Sequence, residues 1–518
     1  MEENVTEFST SQNNKRIAKN TLMLYFRMIL TMLVSLYTSR VVLNTLGVED
    51  FGIYNVVGGF VTMFGFLNSA MASATQRFLA FEIGKGDHEQ LRNVFSMSIN
   101  IHFLIAFIIF ILAETVGLWF VNTQLTIPSS RMGAAQWVYQ FSILAMMVNM
   151  VSVPYNAMII AHERMNVFAW VSIAEVSLKL FIVFLLQWFG FDKLKFYAVL
   201  TFCVSLIIRF IYGFYCSRQF KESRFRYFWD KSLFKTLVSY AGWNLWGNIA
   251  GVLHGQGVNV LLNIFFGPVI NAARGIAYQV SGAINQFVAN FQMAMNPQII
   301  KSYAVNDLKY MHQLIFRGAK YSFFLLFTLS LPILLETEQI LKLWLKIVPD
   351  YTVIFTRLVI INVLIDCISG PLMTAAQASG KIKRYQSVVG GLLILNLPVS
   401  YLFLEFGFQP QVTIFVSIGI SIIALYVRLK IISPLVNLSI ADYLKNVIFK
   451  IIPVIFVAVI LPGFIIYLLP VTIARLFLTC IIAVASVGLT VYFIGLSSTE
   501  QQFMINSLKN VVSKIKRQ

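Results

Sequence analysis

The chain has 518 residues, 58% of them hydrophobic and only 12% charged, with a mean hydropathy of +0.75 and a net charge of +18. A water-soluble domain carries roughly 25% charged residues and cannot bury this much apolar surface in its own core, so a soluble globular fold is excluded and a bilayer is the matching solvent. The basic excess lies in short segments between apolar runs, which argues against nucleic acid as a partner and for a membrane-topology signal.

Residues 1–19 are polar and place Lys15, Arg16 and Lys19 just before the first apolar run. Runs of spanning length then lie at roughly 20–44, 51–80, 91–113, 135–160, 167–189, 194–216, 236–265, 269–299, 318–336, 352–378, 385–406, 411–432, 448–469 and 472–496. No small-residue cleavage site follows the first run, so it reads as a retained membrane helix. The seventh and eighth runs are polar for membrane helices. Cys203, Cys216, Cys367 and Cys480 are scattered, which predicts neither a disulfide framework nor a metal site. No cofactor is expected.

With the N-terminus in the cytoplasm, 28 of the 40 Lys and Arg fall in inside segments, 8 outside and 4 within helices. The within-helix four are Arg27, Lys179, Arg209 and Arg274. The richest inside segment holds Arg218, Lys221, Arg224, Arg226, Lys231 and Lys235. The prediction is an all-α integral membrane protein of about 14 helices with both ends inside.

Two internal echoes suggest a repeat. The second run carries Asn55, Thr62, Ser69, Ser73 and Gln76, one helical face. The eighth carries Asn271, Arg274, Tyr278, Ser281, Asn285, Gln292 and Asn296, again one face. A shift of 223 places Asn55 on Tyr278, Thr62 on Asn285, Ser69 on Gln292 and Ser73 on Asn296. A shift of 217 places Pro154, Ala161, Arg164 and Met165 on Pro371, Ala378, Lys381 and Ile382. Shifts about six helices apart imply two six-helix lobes in parallel orientation plus two further helices. The expected divisions are a cytoplasmic segment 1–19, an N-lobe 20–216, a basic linker 217–235, a C-lobe 236–432, two helices in 433–496 and a tail 497–518.

Polar stripes should not face lipid, where they find no partners. They either glue helices together or line a watery cavity. The first run adds Asn20, Arg27, Thr31 and Thr38; the seventh adds Asn244, Asn248, His254, Gln256, Asn259 and Asn263. The seventh also repeats G-x-x-x-G at Gly247, Gly251 and Gly255, which serves either close packing or bending. Intramembrane charges need a reason. Arg27 and Arg274 lie on stripes; Arg40 and Arg77 lie near helix ends, facing either a cavity or the interface by snorkelling. A cationic cavity suits an anionic ligand, and arginine suits phosphate through bidentate hydrogen bonds. Glu175 precedes Lys179 by four residues, the spacing of an ion pair, and together with Asp366 is a candidate for ion coupling. No P-loop, nucleophile elbow or metal cluster is present, so the chain is not read as an enzyme.

The stretch from Ser39 and Arg40 through Leu46-Gly47-Val48-Glu49-Asp50-Phe51-Gly52-Ile53-Tyr54 closely resembles the start of oligosaccharide flippases. The run Ala74-Thr75-Gln76-Arg77-Phe78 and then Gly84-Lys85-Gly86 continues the likeness. These proteins form the polysaccharide-exporter branch of the superfamily that also holds the multidrug and toxic-compound exporters. The resemblance implies fourteen helices in two bundles plus two. It implies an undecaprenyl-pyrophosphate-linked oligosaccharide as substrate, flipped across the bacterial inner membrane for O-antigen, capsule or exopolysaccharide assembly. Arg27, Arg40 and Arg274, with Arg77 beside them, would meet the pyrophosphate; Asn55, Asn244, Asn259, Tyr278, Asn285 and Gln292 would meet the sugars. The expected partners are this lipid-linked substrate, membrane lipids and other polysaccharide-assembly membrane proteins, with the chain itself a monomer. Two other readings stay open. A multidrug exporter of the same fold favours an acidic lining, whereas this one is basic. A membrane glycan polymerase or ligase needs a large outer loop, and the longest here are about 20 residues.

Overall fold

A backbone in lipid must satisfy its own hydrogen bonds, and a chain of apolar runs does so as helices. The computed structural model describes residues 2–47, 50, 53–54, 57–58, 61, 65–123, 127–188, 192–266, 268–345, 348–502 and 505, and among these every regular element is helical. The protein is a multi-pass, all-helical membrane protein. Twelve helices among the described residues are long and apolar enough to span. They match twelve of the predicted runs. The second run is described only in part, as the Gly65–Lys85 helix. The eighth is the 37-residue helix Pro268–Ala304, whose polar stripe dilutes its hydropathy. The first helix starts earlier than predicted, running Glu2–Leu46 through the polar segment, because helical bonds are local and do not require apolar side chains.

The caps follow ordinary chemistry. Asp87 Oδ1 accepts from the Gln90 amide at 2.9 Å to open His88–Leu112, and Asp192 accepts from the Leu194 and Lys195 amides to open Lys193–Gln219. Helix ends turn on left-handed residues: Gly86 (φ +74°), Glu163 (φ +60°), Gly380 (φ +73°) and Asn437 (φ +51°). Glu163 and Gly380 stand 217 residues apart, the second echo's spacing, and the helices after them begin at Met165 and Ile382, also 217 apart. The preceding segments differ. Pro154 lies inside the unbroken Met132–Ala161 helix, whereas Pro371 opens the short Gly370–Ser379 helix after a break from Thr352–Cys367.

The chain forms two compact units. The first comprises Met1–Asn248 with Asn296–Asp307, the second Ile249–Met295 with Leu308–Gln518. The first unit's core gathers Val57, Tyr139, Ile143 and Ala198; the second's gathers Leu262, Ala273, Phe355 and Val359. Each unit also holds charges that the sequence could not pair. In the first, Arg131 forks between Asp50 and Asp192, at 2.8 Å from Nε to Asp50 and 2.9 Å from Nη1 to Asp192. In the second, buried Arg475 grips Glu336 through Nε at 3.0 Å and Nη2 at 2.9 Å, with Thr479 donating to the same carboxylate at 3.2 Å.

Candidate functional site

The second unit builds its polar site around an irregular turn. The helical stretch Lys231–Phe266 leaves α geometry for a π turn at Leu253–Gly257, which contains Gly255, the third glycine of the G-x-x-x-G series. A π turn misaligns carbonyls, and side chains must take them up. Arg274 Nη2 donates to the Gly255 carbonyl at 3.0 Å, and Asn396 Nδ2 reaches the His254 carbonyl at 3.4 Å. Asn396 also donates to Ser417 Oγ at 3.1 Å.

Arg274 is buried, at 6% exposure. Its Nη2 also donates to the Tyr278 hydroxyl at 3.1 Å, and its guanidinium carbon lies 4.4 Å from that ring's centroid. Its Nε has no hydrogen-bond partner among the described residues. The site therefore offers a buried cation, its Nε unpartnered among the described residues, next to Tyr278, which remains 38% exposed. One turn away, Asn271 Nδ2 donates to both the carbonyl and Oδ1 of Asn259, at 2.7 and 2.9 Å. Asn285 is exposed on the same helix. Gln292 is pinned instead, donating to Ser322 Oγ and the Cys367 carbonyl, each at 3.0 Å.

Asp366 sits in a second polar cluster of this unit. Its Oδ2 accepts from Asn362 at 3.2 Å, and Arg428 is its nearby counter-charge. Arg428 Nη1 donates to Ser369 Oγ at 2.9 Å. His254, on the π turn, feels both Asp366 and Arg274, so the two clusters share one neighbourhood. A groove of about 820 Å³ in the same unit, lined by Leu395, Val399, Phe403, Phe415 and Ile423, is apolar and holds none of the predicted residues.

In the first unit, Arg27 is half-buried with its guanidinium 4.7 Å from the Phe168 ring centroid. Arg77 is caged by aromatic faces, 4.5 Å from Phe78, 4.6 Å from Phe81 and 5.8 Å from Tyr240. Asn244 is buried and hydrogen-bonds Tyr240. Asn248 Nδ2 donates to Ser69 Oγ at 3.2 Å, joining two of the stripes. Glu175 pairs with Lys179 at 2.6 Å, so its charge is already answered on its own helix. Asn55 and Thr62, and the side chains of Arg40, Gln256 and Asn263, lie outside the described residues. Of the predicted residues, then, Arg274, Tyr278, Asn259 and Asp366 gather around the π turn in one unit, and Arg27, Arg77, Asn244 and Glu175 lie in the other.

Sequence reasoning passed over Glu163, which is fully enclosed in the first unit. The signal available was the 217-residue echo, which sets this glutamate against a glycine. A non-glycine residue in the left-handed region costs on the order of 1 kcal/mol and marks a demand on its side chain.

The family model for polysaccharide biosynthesis proteins matches residues 17–303. No curated protein matches the sequence. Among solved structures, an outward-facing multidrug resistance MATE family transporter of the MOP superfamily superposes with a TM-score of 0.70 at 13% identity, over 82% of this chain and 96% of that one. A MATE structure in the straight conformation gives 0.69 at 13% identity, over 82% and 97%. A MOP superfamily transporter from Pyrococcus furiosus Vc1, described as having a binding pocket of reversed polarity, gives 0.66 at 12% identity, over 82% and 96%. These likenesses establish the fold that the chain shares with them.

Proposed function

We propose, from the premise that the chain belongs to the polysaccharide biosynthesis protein family, that it is a flippase for an undecaprenyl-pyrophosphate-linked oligosaccharide in the bacterial inner membrane. The observation that carries this reading is Arg274: a buried guanidinium, stacked on Tyr278, with an Nε free of protein partners among the described residues. A dehydrated arginine fork is a strong receptor for phosphate oxygens. The neighbouring Tyr278, Asn259 and Asn285 supply hydrogen-bonding groups suited to sugar hydroxyls. Arg27 adds a second half-buried cation in the first unit.

In this mechanism the arginines neutralise the pyrophosphate, the amide and phenol groups hold the sugars, and alternating access carries the headgroup between leaflets while the lipid tail stays in the bilayer. The π turn and its glycines give the Lys231–Phe266 stretch a place to bend. Asp366, held by Asn362 and faced by Arg428, serves in this reading as the acidic group that exchanges partners with a coupling cation. The chain works as a monomer with its termini in the cytoplasm, beside the other membrane proteins of glycan assembly.

A strain that lacks this protein and any second flippase tests the reading. Lipid-linked repeat units should accumulate on the cytoplasmic face. Their normal appearance at the periplasmic face would refute the proposal, and accumulation of single units at the outer face would point to a polymerase instead.

A further inference from the structure

The Pro268–Ala304 helix changes allegiance along its length. Residues up to Met295 belong to the second unit and Asn296–Asp307 to the first, yet the helix is unbroken. Pro297 sits just past the change. Its ring cannot donate to the carbonyl four residues back, so the helix is weakest there.

One carboxylate gathers polar contacts between the twelve residues beyond Met295 and the rest of the first unit. Glu163 accepts from Gln298 Nε2 and Lys301 Nζ, each at 2.5 Å, and from Arg16 Nε at 2.8 Å. Its side chain has no exposed surface. Its backbone carbonyl accepts from Asn20 Nδ2 at 3.1 Å. The first helix, the turn after Met132–Ala161 and the end of Pro268–Ala304 therefore meet at a single residue. Gly84 completes the seat: a Cβ there would lie 2.9 Å from the Lys301 Cα and 2.9 Å from the Ala304 Cβ. Phe81 and Tyr303 pack beside it, with centroids 6.5 Å apart.

The backbone argues that this cluster is more than packing. Position 163 requires a left-handed residue, and the echo of this turn uses Gly380. Glutamate is kept against backbone preference, for its carboxylate. An apolar contact would hold the helix end as well, because buried ion pairs add little net stability over well-packed apolar groups. What a buried ionic cluster adds is an all-or-none contact, closed when its partners are in place and rehydrated when they are not.

We propose that Glu163 is a charge latch, which seats the C-terminal end of the Pro268–Ala304 helix on the first unit and must release it in each transport cycle. The release half rests on the transporter reading above; the seating half does not. The full-length protein in lipid nanodiscs tests the seating by hydrogen exchange, with no substrate present. Glu163→Gly keeps the left-handed turn and removes the carboxylate, and Lys301→Gln removes one partner. In both, exchange across 296–307 should rise at least tenfold while 308–335 stays within twofold of the parent. Unchanged protection of 296–307 in both variants overturns the latch. The release is tested by Phe81→Cys/Tyr303→Cys, at the pair that packs beside the seat, bridged by a short bifunctional methanethiosulfonate. The bridged form should lose lipid-linked oligosaccharide flipping and regain it on reduction, with the parent protein given the same reagent as the positive control. Full activity in the cross-linked protein overturns the release and leaves the transporter reading standing.

Discussion

Arg274 reaches across to the carbonyl of Gly255, 19 residues earlier in the chain, and donates to it at 3.0 Å. One guanidinium thereby closes the π turn of one helix from a neighbouring helix, with its Nε unpartnered among the described residues. Structure and the proposed ligand chemistry draw on the same group, and substitutions there separate the two.

Arg274→Lys keeps the charge but loses the fork, and Arg274→Gln loses both. A hydrogen bond to a charged group contributes about 1.5–3 kcal/mol, roughly ten- to a hundredfold in affinity. Pyrophosphate-lipid binding by the purified protein should weaken by that factor in the lysine variant and more in the glutamine variant. Equal binding in all three proteins would remove Arg274 from the site.

The Arg475–Glu336 pair is a stability element of the second unit, with side-chain exposures of only 9% and 2%. Removing one partner strands a buried charge at a cost of about 3–5 kcal/mol. Arg475→Ala should therefore lower the thermal midpoint in detergent sharply. The double variant Arg475→Leu/Glu336→Leu should recover most of the loss. A single variant as stable as the parent would show that the pair does not hold these helices together.

His162 stacks on Phe220 at 4.1 Å between ring centroids, just beyond the end of the Met132–Ala161 helix. Burial first, and then the Lys301 charge, push its pKa down from 6.5 to about 4. The folded state thus holds a neutral imidazole that an unfolded chain protonates below its ordinary pKa. The resulting stability is present above pH 6.5 and is lost as pH falls through about 4. Unfolding midpoints measured from pH 7.5 to 4.5 should fall less in His162→Phe than in the parent. Parallel curves would contradict the assignment.

The polar stripe that carries Gln292 suits either a cavity lining or a contact between helices. The Gln292 amide nitrogen is committed to Ser322 and Cys367, and a Cβ on Gly370 would collide with its Oε1. Gly370→Ala should displace the amide and cost about 1–3 kcal/mol, the range for overpacking a well-packed site. A Gly370→Ala protein with unaltered stability would free Gln292 for a binding role.

The helices were legible because hydropathy acts over twenty residues at a time, and the charge alternation is likewise a property of whole segments. Polar stripes were legible as faces. Their purpose was not, since Gln292 and Tyr278 share a face while one is pinned and the other is partly open. Pairings such as Arg475 with Glu336, 139 residues apart, depend on tertiary packing that no local pattern encodes. Glu163 reads as an ordinary loop acid until its left-handed backbone and its match to Gly380 are seen together.

Movement of a lipid-linked oligosaccharide between leaflets is the activity proposed for this protein. Proteoliposomes carrying a fluorescent undecaprenyl-pyrophosphate oligosaccharide, probed with a membrane-impermeant quencher, measure this directly. Wild-type protein should expose the inner-leaflet fraction to quencher, and Arg274→Gln should slow this at least tenfold. Protein-containing vesicles that quench no more than empty ones, with the protein folded and correctly inserted, would contradict it.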